Sequence, residues 1–100
     1  MQVIYISGAY RARTIFGVLW NIYKARRAAQ ELWANGYAVI CPHMNTALFD
    51  DGFPYIRGDC EILKRCDKIY MLKGWRKSEG ANIEYQVALQ HKLDIIYEED

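Results

Sequence analysis

A chain of 100 residues amounts to one domain that buries roughly 60 to 70% of the surface its unfolded form exposes, with no room for a separate lid domain. Hydrophobic residues at 52%, charged residues at 25% and a formal net charge of +1 are ordinary for a soluble globular protein, and nothing in them demands nucleic acid or a membrane surface. No apolar run approaches the length of about 20 residues that spans a bilayer, and Met1-Gln2-Val3 leads into a strand-like run without a signal-peptide pattern, so the expected location is cytoplasmic.

The first element is Val3-Ile4-Tyr5-Ile6, a short β-branched and aromatic run that reads as a buried strand opening into a loop at Ser7-Gly8. From about Val18 to Asn35, Ile22, Ala25, Ala29, Leu32 and Trp33 follow helical spacing, and Asn35-Gly36 is a stop signal. Tyr37 to Ile40 is the second strand, ended by Cys41-Pro42. His43 to Pro54, with Asp50-Asp51-Gly52 inside it, reads as a loop. A helix over Tyr55 to Cys66 comes next, followed by the strand Lys68 to Leu72 and a loop through Gly74 and Lys77. A helix around Glu84 and the strand Ile95-Ile96-Tyr97 complete the order.

This βαβαβαβ order, with strands apolar on both faces, predicts one α/β domain with a doubly wound parallel sheet covered by helices. Ligands of such sheets bind outside the carboxyl ends of the strands, where the strand order reverses. Three segments should converge there: Ser7-Gly8, Cys41-Pro42-His43, and the loop from Gly74 to Gly80. The three cysteines, Cys41, Cys60 and Cys66, are odd in number and lack paired C-x-x-C spacing, so free thiols are expected in place of disulfides or a zinc site.

Two carboxylates stand out. Asp59 falls in line with Ile56, Leu63 and Cys66, and Glu84 lies between Ala81, Val87 and Ala88, so each is placed on the apolar stripe of its helix. An ionised carboxylate turned toward a core costs several kcal/mol unless something binds or pairs with it. Solvated helix carboxylates or structural ion pairs are the bland alternatives. Two inward carboxylates on adjacent helices otherwise suit glycosidic chemistry, one attacking an anomeric carbon and the other handling protons or a sugar hydroxyl.

The loop Ser7 to Arg13 holds one glycine and two arginines, without the spacing of a dinucleotide fingerprint or a P-loop. A smaller anion is still served by a glycine turn and the Arg11 guanidinium. Ser78 and Gly80 stand at the start of the Glu84 helix, where free amides favour a phosphate, although Ser78 also suits a simple cap. Lys73, Arg76 and Lys77 make that loop basic. Tyr5 could hydrogen-bond a carboxylate in the crevice, and His43 could contact a base or lie exposed in its loop. Tyr10, Trp20 and Trp75 are weaker candidates for base stacking, and His91 falls on a helix surface.

Tyr5-Ile6-Ser7-Gly8, the inward Asp59 and Ser78-Glu79-Gly80-Ala81-Asn82-Ile83-Glu84 together resemble the nucleoside 2-deoxyribosyltransferase superfamily, which includes 2'-deoxynucleoside 5'-monophosphate N-glycosidases, over nearly the whole chain. The resemblance implies a flavodoxin-like sheet of about four parallel strands in the order 2-1-3-4, helices on both faces, and cleavage of an N-glycosidic bond. By position, Glu84 is then the nucleophile, Asp59 contacts the sugar and assists proton transfer, and Tyr5 orients Glu84. Ser7, Gly8, Arg11, Ser78, Gly80 and His43 would bind substrate.

Ser78 stands where the monophosphate enzymes carry a phosphate-binding serine and the transferases an aspartate. Arg11 also matches a loop arginine of the monophosphate enzymes, so a 5'-nucleotide and hydrolysis are the leading expectation. Base exchange by a transferase and a non-catalytic nucleotide-binding module are the alternatives. Ala9 departs from the pattern, replacing a serine of the monophosphate enzymes. The chain also ends at Asp100 where the family's usually continue, so a homodimer or higher homo-oligomer would share its sites differently. No metal or redox cofactor is expected, and the partner is a small nucleotide or nucleoside.

Overall fold

The computed structural model describes residues 1–47, 49 and 54–98. Four strands form one all-parallel sheet in the order β2-β1-β3-β4, with β1 Val3–Ser7, β2 Ala38–Ile40, β3 Lys68–Met71 and β4 Asp94–Tyr97. The long helix α1 (Ile15–Ala34) joins β1 to β2, and the short α2 (Pro42–Asn45) and α3 (Tyr55–Leu63) lie between β2 and β3. A 3-10 turn (Trp75–Lys77) and α4 (Glu79–Gln90) connect β3 to β4. This is the flavodoxin-like α/β arrangement expected from the alternating pattern. Among the described residues no helix is long and apolar enough to cross a membrane.

Strand β1 is paired on both edges, with Tyr5 opposite Ile40 on one side and Ile69 on the other. Its alternation divides the core in two. Ile4 and Ile6 face α1 and pack with Ala25, Ala28, Ala29, Leu32 and Leu72. Tyr5 faces the opposite layer, with Leu63, Ile69, Met71, Trp75, Ala81 and Ala88. Side chains two residues apart share a face, so Ser7 follows Tyr5 toward α4 at the strand's carboxyl end.

Several boundaries differ from the sequence reading for identifiable reasons. Helix α1 starts at Ile15 instead of Val18 because Thr14 caps it, its hydroxyl accepting the Gly17 N–H at 3.1 Å. Its buried stripe is Ala25, Ala28, Ala29 and Leu32, and Trp33, expected on that stripe, is 57% exposed. One residue past Leu32 turns a side chain by about 100°, which takes Trp33 off the sheet. The helix ends as expected: Gly36 adopts a φ of +94°, and the Tyr37 N–H reaches back to the Leu32 carbonyl at 3.2 Å.

The stretch read as a loop from His43 to Pro54 begins with helix α2, since Pro42 occupies a first-turn position where its fixed φ suits a helix. Asp50-Asp51-Gly52 lies outside the described residues. Trp75 is no loop aromatic: it is buried, 4.6 Å from the Tyr85 ring between centroids, with the Arg76 guanidinium 4.7 Å from its own. Cys66 is buried, Cys41 and Cys60 are partly so, and all three are free thiols as expected.

Gly8 is held by a close approach. A Cβ there would come within 2.8 Å of the Leu72 Cβ and 2.7 Å of its Cδ1, and Leu72 is buried against α1. Gly8→Ala is therefore expected to cost about 1–3 kcal/mol and to lower the melting temperature by on the order of 10 °C. Gly58, in the middle of α3, meets nothing within 4 Å among the described residues, so Gly58→Ala should leave stability unchanged or raise it by up to about 1 kcal/mol. Thermal denaturation of the two variants side by side checks both expectations.

Candidate active site

The crevice opens at the carboxyl ends of β1 and β3, where the order of connection reverses. Its cavity of about 520 Å³ is walled by Gly8 to Arg11 after β1, Pro42 and His43 after β2, Lys77 to Ala81 after β3, and Tyr55, Ile56 and Asp59 from α3. Glu84 forms part of the same wall. The three segments expected to converge do so, and both inward carboxylates border one space.

Glu84 is 7% exposed and sits with Ala81 and Ala88 on the face of α4 that packs on the sheet. No cation neutralises it among the described residues. Instead the Tyr5 hydroxyl donates to Oε2, and the Ser7 hydroxyl donates to Oε1 at 2.6 Å. Both donors come from β1, where the period of two puts them on one face. Each carboxylate oxygen therefore has one hydroxyl donor, and α4 is tied to the central strand.

Burial pushes the Glu84 carboxyl up from its ordinary 4.5 to about 7; the two hydroxyl donors pull the other way, and the negative Asp59 raises it further. Tyr5 is raised well above the ordinary phenol range, first by burial and then by the charges of Glu84 and Asp59, so it remains a proton donor. Asp59, half-buried on α3, is also raised by burial. It has no hydrogen-bond or ion-pair partner among the described residues. A purely structural ion-pair role, in which each carboxylate meets a basic side chain and no crevice separates them, is not what these residues form.

The cavity's lining is mixed in chemistry. Arg11 and Lys77, both exposed, line it together with Ser78 and Gly80 at the start of α4. The Ser78 hydroxyl caps α4 by accepting the Ala81 N–H at 3.2 Å, so the capping role is realised at a residue that also lines the cavity. At Gly80 a Cβ would come no nearer than 3.7 Å to Ile56. The same lining holds two aromatic pairs: Tyr10 meets the His43 ring edge-on at 6.0 Å, and Phe49 meets Tyr55 at 6.1 Å.

Ser7 does not line this wall with its hydroxyl free for a ligand; that hydroxyl is bound to Glu84. His43 is buried, not exposed in a loop, and its Nε2 lies 3.0 Å from the Ala9 carbonyl. Burial holds the ring below its ordinary pKa, against the Ala9 and Gly8 carbonyls that favour its proton. Trp20 is 58% exposed on α1, outside this cavity, and Trp75 belongs to the core. Phe49 and Tyr55 were not among the sequence candidates; an aromatic at each end of the run 49–55 was the available signal. Among the described residues, no three or more His, Cys, Asp or Glu side chains are grouped to hold a metal ion.

The strained ionisation of Glu84 has a measurable consequence. Between pH 4.5 and about 7 the folded protein binds this proton more tightly than the unfolded chain, so stability falls as pH rises through that window. Above it, the charged side chain carries a penalty of roughly 3 kcal/mol. Glu84→Gln keeps the shape without the charge. It should be more stable than the wild type at pH 8 by that order, with the gap closing toward pH 4.5, as followed by urea unfolding across pH.

No curated protein matches the chain. A family of domains of unknown function, DUF4406, matches residues 2–97, a span that includes every strand of the sheet and every side chain of the crevice. The chain belongs to the DUF4406 family.

Proposed function

We propose that the protein hydrolyses the N-glycosidic bond of a nucleoside 5'-monophosphate through a covalent intermediate on Glu84. The observation that carries this reading is the setting of Glu84: a buried carboxylate held by two hydroxyls and no cation, on a cavity shared with a second carboxylate. A carboxylate used only for stability has no reason to be kept from a basic partner, whereas a nucleophile needs its lone pairs oriented and unneutralised. The resemblance to nucleoside 2-deoxyribosyltransferases points to the same residue.

In the first step a Glu84 oxygen forms a bond to C1' of the sugar as the bond from C1' to the base nitrogen breaks, its electron pair leaving with the base. A proton passed through Asp59, which borders the same cavity, neutralises the departing base. Water then attacks C1', giving its proton to Asp59 and releasing Glu84 and the sugar phosphate. Tyr5 and Ser7 aim Glu84. Arg11, Lys77 and the amides at the start of α4 receive the 5'-phosphate, and the Phe49–Tyr55 pair receives the base.

Incubation with a panel of nucleoside monophosphates and nucleosides, followed by chromatography, tests this directly. Free base should appear from monophosphates and fall by at least about a thousandfold in Glu84→Ala, with Glu84→Gln as the folded control. Exchange only in the presence of a second base would assign a transferase. Thermal stabilisation by nucleotides with no base released would leave a binding module.

The pH profile is a separate expectation. Because the attacking form is the carboxylate, kcat/KM should rise with pH through a limb near pH 7, the position set by burial of Glu84. Tyr5→Phe and Ser7→Ala each remove a donor that stabilises the charge, so both should move that limb to higher pH. A limb that stays in place in both variants would rule out Glu84 as the titrating group.

A further inference from the structure

We infer that His43 and Asn21 are positioning residues that clamp the Gly8–Arg11 loop from two different helices and so fix the wall of the cavity from which Arg11 departs. The Ala9 carbonyl meets His43 Nε2 at 3.0 Å, and the next carbonyl, that of Tyr10, accepts from Asn21 Nδ2 at 3.1 Å. His43 belongs to α2 and Asn21 to α1. A carbonyl can only accept, so Nε2 carries the proton and the neutral ring is fixed in one tautomer. The Nδ1 atom is buried without a hydrogen-bond partner among the described residues, so the ring's polar contribution is made at Nε2, to the loop backbone at Ala9 and Gly8.

Two consecutive carbonyls are thus pinned, one by a residue of the cavity wall and one from α1. In a trans peptide the N–H points opposite to the C=O, and no peptide bond among the described residues is cis. Fixing the Ala9 and Tyr10 carbonyls therefore sets the directions of the Tyr10 and Arg11 amides and the point from which the Arg11 side chain departs. Both ends of the loop are seated as well. Gly8 lies against Leu72, and Gly17 of α1 lies so near Ala12 that a Cβ there would come within 2.6 Å of the Ala12 Cβ. This assignment gives His43 a role other than base contact.

The inference rests on the proposed nucleotide substrate for its kinetic consequence but not for its structural one. His43→Phe and Asn21→Asp each remove one donor at nearly constant size, while His43→Gln returns an N–H near the place of Nε2. With a monophosphate substrate, the first two variants should raise KM about tenfold with kcat within about threefold, and H43Q should recover most of the loss. KM for the matching nucleoside, which lacks the phosphate, should rise less than KM for the monophosphate.

Hydrogen exchange supplies the readout that needs no activity. Amides of residues 9–12 should exchange at least about tenfold faster in H43F and N21D than in the wild type, with H43Q close to wild type and the α4 amides unchanged. Unchanged exchange in residues 9–12 of both donor-lacking variants would overturn the clamp, as would KM values that rise equally for nucleoside and nucleotide. Should H43F fail to fold, N21D decides alone. A wild-type protein that releases no base from any nucleotide would remove the proposed function, and exchange would still decide the clamp.

Discussion

The burial of Glu84 against the central strand is the constraint around which the rest of the crevice is arranged. A carboxylate this buried has to be solvated by the protein itself, and only β1 is in position to do it. Tyr5 and Ser7 are consecutive residues on the α4 face of that strand, and each gives one hydroxyl. The donors are neutral, which matters. An arginine or lysine in their place would satisfy the charge more fully but would hold the carboxylate well below its ordinary pKa and dull it as a nucleophile. Hydroxyls orient the oxygens while leaving the charge largely uncompensated, and the result is a carboxyl raised to about 7.

The same arrangement couples site and core. Tyr5 is wholly buried among Leu63, Ile69, Met71, Trp75, Ala81 and Ala88, so the ring that positions Glu84 is itself fixed by close packing. Ala81 and Ala88 flank Glu84 on α4 with minimal side chains, which lets the helix lie near the strand and brings the carboxylate within reach of both hydroxyls. On the opposite face α1 also presents alanines, Ala25, Ala28 and Ala29, to Ile4 and Ile6. Small residues on both covering helices hold β1 between two close layers, and the loop leaving it inherits that rigidity through Gly8 and Leu72.

Much of this was legible in the residues, and the limits have physical causes. Strands β1 and β3 are continuous apolar runs, which only a sheet buried on both faces uses, and the parallel topology followed from the alternation with helices. Asp59 and Glu84 were visible because a charge at a core-facing helical position is rarely idle. Ser7 was read as a ligand contact because a serine at a strand's end says nothing of its rotamer; its bond to Glu84 spans 77 residues, and no local pattern encodes that. His43 was misplaced for a related reason. Its burial depends on α2 folding back toward the Gly8–Ala9 turn, a tertiary event that a Pro-His-Met-Asn tetrapeptide does not announce. Trp33 and Trp75 exchanged expected environments because helical phase and a 3-10 turn, not hydrophobicity, decide which large side chain reaches the core.

On the proposed reading, the charges at the mouth of the cavity do more than attract a phosphate. Burial raises the cost of ionising both carboxyls, and the charge of Asp59 adds to the cost for Glu84. A nucleotide phosphate brings further negative charge into the same crevice and expels water, and each effect favours protonated carboxyls. For Asp59 that is useful, since an acid is what the departing base needs. For Glu84 it would be self-defeating, because the protonated form cannot attack. Arg11 and Lys77 line the cavity, and as phosphate ligands they would offset the incoming charge. The two hydroxyls stabilise the charged form of Glu84 alone. The group that must be ionised to attack is thus the one given two fixed donors, while Asp59 keeps no hydrogen-bond partner among the described residues and stays open to exchange protons with substrate and water.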